Sequence, residues 1–62
     1  MTREEWKEFY RWLETASDSE LRRTLDKIEG LLSMLKDRDV QADALRMRRE
    51  IEGELLSRSS RP

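Results

Sequence analysis

LRRTLDKIEGLLSML, residues 21–35, places Leu21, Leu25, Ile28, Leu32 and Leu35 at successive steps of four, three, four and three. That spacing draws one apolar seam down a helix and leaves most other positions polar. A seam of this kind stays wet unless another helix covers it, so the stretch predicts a helical partner surface. The same periodicity resumes downstream, where Val40, Ala44, Met47, Ile51 and Leu55 form a second stripe. Between the two, Lys36–Asp37–Arg38–Asp39 interrupts the apolar phase and offers two aspartates able to cap a helix. The expected elements are a helix over about 18–36 and another over about 40–57. Pairing Leu35 with Val40, Leu32 with Ala44, Ile28 with Met47, Leu25 with Ile51 and Leu21 with Leu55 keeps one register, as an antiparallel αα-hairpin requires.

Upstream, Thr2 and Glu5 stand three residues apart in the form of a capping box, in which each side chain bonds the other's free backbone N–H. Trp6, Phe9, Tyr10 and Leu13 then recur at helical spacing, opposite Glu4, Lys7, Glu8, Arg11 and Glu14. An N-terminal amphipathic helix over about 3–15 follows. Ser17 and Glu20 repeat the capping pattern, and Asp18 puts negative charge in the next first turn, where the helix dipole favours it. Gly30 falls on the exposed side of its helix, where a close-packed neighbour would account for it. The polar tail, residues 58–62, is expected to be flexible.

Size limits what this pattern can do alone. Sixty-two residues, 35% hydrophobic and 44% charged, make one small domain, placed over residues 1–57. With neither cysteine nor histidine in the chain, disulfides and ordinary structural zinc sites are excluded. Oligomerisation is the remaining way to enlarge the core, and it predicts a homodimer. The expected fold class is therefore all-α: a short N-terminal helix plus an antiparallel αα-hairpin, assembled as a homodimeric helical bundle.

The same inventory narrows function. Thirteen basic and fourteen acidic residues, interleaved to a net charge of −1, argue against broad attraction to nucleic acid or anionic membrane. No apolar run approaches a membrane span, and Arg3, Glu4 and Glu5 are unlike a secretory leader, so a cytoplasmic location is expected. Acid–base chemistry would fall to carboxylates on solvated helix faces, and there is neither a glycine-rich phosphate loop nor metal-ligand spacing. The expectation is no enzyme, no cofactor, no metal and no small-molecule substrate.

Contact surfaces are easier to nominate. Trp6, Phe9, Tyr10 and Trp12 are all the aromatics of the chain. Such side chains serve either as a core cap or as anchors for a foreign protein, since they bury much area with few rotamers to freeze. Trp12 lies at the margin of the stripe. Leu45 and Leu56 form a weaker stripe on the last helix, and Leu31, Met34 and Thr24 do the same on the middle one. Arg46, Arg48 and Arg49 cluster, but Glu50 and Glu52 stand four residues beyond Arg46 and Arg48, where they can pair. Trp6, Phe9, Tyr10, Trp12, Leu45, Arg48, Arg49 and Leu56 are thus the candidate partner-binding residues.

The turn segment from Leu35 to Asp43, with its aspartates followed by Gln41–Ala42–Asp43, resembles the interhelical turn of the Rop family of plasmid copy-number proteins. That resemblance covers nine residues and implies a dimeric four-helix bundle of two hairpins, acting on RNA. The break at Ser17 departs from the family pattern, and no RNA-contacting residues carry over. In general style the chain is similar to small helical accessory proteins of phages and mobile elements, many of which bind and block a host protein. The leading expectation is a protein-binding modulator or inhibitor, with a heterologous protein partner; the second is a Rop-like RNA- or DNA-binding regulator.

Overall fold

Three helices, α1 (Arg3–Thr15), α2 (Asp18–Leu32) and α3 (Arg38–Ser59), make up the computed structural model, which describes residues 1–60. α1 begins as its sequence dictates. The Thr2 hydroxyl accepts from the Glu5 N–H at 3.2 Å, while the Thr2 N–H donates to Glu5 Oε1 at 2.8 Å. Both halves of the capping box are present. The helix stops where Ala16 turns to an extended conformation at φ −69° and ψ 147°, its side chain buried. Ser17 is extended too, and its hydroxyl accepts from the Glu20 N–H at 3.1 Å to start α2. Two extended residues thus make a tight corner.

α2 ends at Leu32, four residues short of the expected Lys36. Ser33 stays near helical geometry, but its hydroxyl bonds the Gly30 carbonyl, and the Met34 and Leu35 amides both converge on the Leu31 carbonyl. The ladder therefore closes into a turn, a common way for helices to finish. Asp37 then accepts from the Asp39 and Val40 amides at 2.8 and 3.2 Å, so α3 starts at Arg38 rather than Val40. The Gln41 side-chain amide donates to the Leu35 carbonyl and ties the connection down.

The other end of α3 also differs from expectation. It continues to Ser59, which takes Arg58 and Ser59 out of the supposed flexible tail; Arg61 and Pro62 lie outside the described residues. Arg58 supplies the reason. Its guanidinium donates to Asp18 Oδ1 at 2.9 Å and to the Leu13 carbonyl at 3.1 Å, and it approaches Glu54 at 3.8 Å. The Leu13 carbonyl belongs to the last turn of α1, where a cation is favoured by unpaired carbonyls and by the dipole.

Core burial follows the apolar stripes. Leu21 and Ile51 are fully buried, and Phe9, Leu13, Ala16 and Ile28 join them. Leu25, Leu32, Ala44, Met47 and Leu55 pack partly buried against this nucleus. Towards the α2–α3 turn the core opens: Leu35 is half-buried and Val40 is 46% exposed. α2 packs chiefly on α3. α1 lies along α3 of the same chain, with Met1 at Asp43, Tyr10 at Arg46 and Leu13 at Arg58.

Candidate functional site

The aromatic residues of α1 are largely occupied within the chain. Phe9 is buried at the centre of the group, edge-on to Trp6 at 5.6 Å and to Tyr10 at 5.5 Å between ring centroids. It belongs to the core. Trp6 and Tyr10 are half-buried and share one cation. The Arg46 guanidinium sits 4.2 Å above the Trp6 ring and donates to the Tyr10 hydroxyl at 2.9 Å. Cation–π contact of this kind contributes roughly 0.5–1 kcal/mol at an exposed site. Arg46 therefore does not make the ion pair with Glu50 that its spacing allows; it holds α1 on α3 instead.

Trp12 stands apart. Half-buried, it lines a furrow together with Phe9, Thr24 of α2 and Met47 of α3. Past Met1 and Glu5 the furrow continues into a groove of about 440 Å³ at the turn end of α2 and α3. Ile28, Leu35, Ala44 and Met47 line its depth, while Leu31 and Val40 form rims that are 50% and 46% exposed. Met34, in the turn that closes α2, is 71% exposed. At its α1 side the Met1 ammonium bonds Asp43, which raises the amine's pKa above its ordinary value of 8.0. The Glu5 carboxyl is held below 4.5 by the Thr2 backbone N–H and then by the Thr2 side chain.

Of the remaining nominated residues, Leu45 and Leu56 are 45% and 67% exposed on α3. Arg49 is exposed beside Leu45, at a shallow recess that also includes Ala42 and Glu50. Arg48 pairs with Glu52 at 3.5 Å, as its spacing predicts. The structure thus separates the nominated set: Trp6, Phe9 and Tyr10 hold the fold, Trp12 borders the furrow, and Leu45, Arg49 and Leu56 lie on the outer side of α3.

The staples Arg46 and Arg58 went unnominated, and the groove joins Leu31, already read as part of a weaker stripe, to Leu35 and Val40. Arg46 and Arg58 reach residues 36 and 40 or more positions away in the chain, so helical periodicity carries no trace of their contacts. The groove did leave a signal, because Leu31 and Met34 fall off the main seam.

Among the described residues no three carboxylates converge to hold a metal ion, and no helix is long and apolar enough to cross a membrane. Compared with protein-family models, curated proteins and solved structures, the chain matches none.

Proposed function

We propose that this chain is a small, cytoplasmic, non-enzymatic helical protein that modulates or inhibits a protein partner by direct contact. In this reading α2 and α3 form an antiparallel hairpin, α1 braces it, and two copies assemble as a homodimer. The observation that carries the reading is the exposure of Leu31, Met34, Val40, Leu45 and Leu56, each between 45% and 71% open on so small a protein. They fall in two places, the turn end and the outer side of α3. Apolar surface gathered in this way marks association sites more often than chance exposure. The outer stripe, Leu45 and Leu56 with Arg49 near the first, is assigned to the heterologous partner.

Nucleic-acid binding ranks second because basic and acidic residues interleave to a net charge of −1 and three arginines of α3 are held within the chain, although Arg22, Arg23, Arg38 and Arg49 stay exposed. Arg46 lies on Trp6 and Tyr10, Arg48 pairs with Glu52, and Arg58 bridges Asp18 and Leu13. Affinity capture with the parent chain beside a Leu45→Glu/Leu56→Glu variant tests the proposal. A protein retained by the parent, lost on the variant and held with little change between about 50 and 200 mM salt supports it; RNA or DNA released steeply over that range would replace it.

A further inference from the structure

The turn-end groove faces solvent, and its occupant can be argued from surface area, shape and charge. A compact monomer of 7.5 kDa exposes about 4,250 Å² on the size scaling of folded proteins. This chain exposes 5056 Å². The excess, about 800 Å², is close to what one partner contributes to a standard protein–protein interface. Its radius of gyration, 12.1 Å, likewise exceeds the roughly 10.6 Å of a compact domain of this length. In both measures the single copy is too open for its mass.

Shape indicates what closes it. The groove is a hole lined at depth by Ile28, Leu35, Ala44 and Met47; Leu31 is an exposed knob on its rim, and Met34, 71% exposed, follows in the turn where its amide bonds the Leu31 carbonyl. Hole and knob on one patch are the requirement for a two-fold interface, in which the same surface meets itself. The turn beside the patch carries Lys36, Asp37, Arg38 and Asp39, all exposed and summing to no net charge. In the groove itself the Met1 ammonium is paired with Asp43, which leaves Glu5 as the one net charge, so a second copy meets only a small like-charge barrier there and a strongly acidic or basic partner finds little to select it.

We infer that the groove is filled by a second copy of this chain, Leu31 and Met34 of each protomer seating in the groove of the other around a two-fold axis. This rests on the homodimer reading above and adds which face makes the dimer. The outer stripe of Leu45 and Leu56 then stays free for a heterologous partner.

Equilibrium sedimentation over a concentration series tests the assignment. The parent chain is expected at the mass of two copies, and Leu31→Glu/Val40→Glu is expected to weaken association on the order of a hundredfold, as loss of a central apolar contact does. Leu45→Glu/Leu56→Glu should remain dimeric. Because a separated protomer can unfold, a second measurement uses the folded parent interface. Single cysteines at Met34 or Leu56, introduced into this cysteine-free chain and spin-labelled, should place the Met34 pair closer together than the Leu56 pair. A parent chain sedimenting as one copy overturns both the dimer and the groove. A dimer that survives Leu31→Glu/Val40→Glu, or whose Leu56 labels are the closer pair, overturns the groove alone.

Discussion

Removing the Arg58 side chain should destabilise the protein although it lies in a segment that looks dispensable. The Arg58 side chain is only 21% exposed, and it spans three elements by touching Asp18, Leu13 and Glu54. Its bond to the Leu13 carbonyl is charge-assisted and partly buried, a class of contact worth about 1.5–3 kcal/mol. The Asp18 carboxylate is 61% exposed, so that ion pair adds at most about 1 kcal/mol. Taking the low end of each, Arg58→Ala should cost about 2 kcal/mol. For a domain this small, each kcal/mol moves Tm by roughly 4–8 °C, which predicts a fall of about 8–16 °C. The assay is thermal melting by circular dichroism at one fixed protein concentration, since self-association would otherwise shift Tm. Asp18→Ala should cost less, and the double-mutant cycle should return a coupling of about 0.2–1 kcal/mol. Arg58→Lys keeps the charge but not the planar fork, so it should fall between parent and alanine variant. An Arg58→Ala protein melting within about 2 °C of the parent would mean that the end of α3 frays in solution and that the contact adds nothing.

Two further outcomes follow from local chemistry. Neither Gly30 nor Gly53 has a neighbour within 4 Å of where a Cβ would stand, so Gly30→Ala and Gly53→Ala should each raise stability by roughly 0.8–1.0 kcal/mol in urea melts. A gain at Gly53 with a loss at Gly30 would reveal a second copy, seated at Leu31, pressed against Gly30. In pH, the lowered Glu5 carboxyl adds stability that is fully present above about 4.5 and is lost as pH falls through its depressed folded value. The raised Met1 amine acts at the other end: its contribution is fully present below about 8.0 and is lost as pH rises through the folded value. Melts across pH should show the acid slope reduced in Glu5→Gln and the alkaline slope reduced in Asp43→Asn; slopes unchanged in both variants would remove the two contacts.

What could be read from the residues was whatever depends on near neighbours in the chain. The Thr2–Glu5 box, the Ser17 cap and the apolar seam ending in Leu32 are all settled within four positions of one another, and the helix starts came within two residues. The boundaries that moved did so for reasons with weaker local signals. Leu35 continues the apolar phase of α2, yet the Leu31 carbonyl collects the Met34 and Leu35 amides and the helix ends at Leu32. Ser57–Arg58–Ser59 reads as polar tail, yet Arg58 finds an acceptor 45 residues away. Among the candidate surfaces, the aromatic stripe of α1 held both a core reading and an anchor reading, and only the position of α3 divides it. Phe9 goes inward, Trp6 and Tyr10 go under Arg46, and Trp12 is left at the furrow.

The division of the arginines explains how a chain that is 44% charged keeps a defined tertiary arrangement with six buried apolar side chains among the described residues. A core that small sets the pairing of stripes but resists sliding and tilting weakly, because few interdigitated layers fix the third helix. Arg46 and Arg58 add direction. One grips α1 near its start by an aromatic face and a hydroxyl, the other near its end by a backbone carbonyl, and each contact has a narrow geometric optimum. Two such grips at separate points on α3 fix both the position and the rotation of α1, which a patch of apolar contacts alone would leave loose. Trp6, Tyr10, Arg46 and Arg58, which would ordinarily serve as partner anchors, are thereby consumed inside the chain, while Trp12 stays at the furrow and Arg49 stays exposed beside Leu45. The surface that remains for association is mainly aliphatic, Leu31, Met34 and Val40 at the turn end and Leu45 and Leu56 on α3, and it is there that binding should be sought.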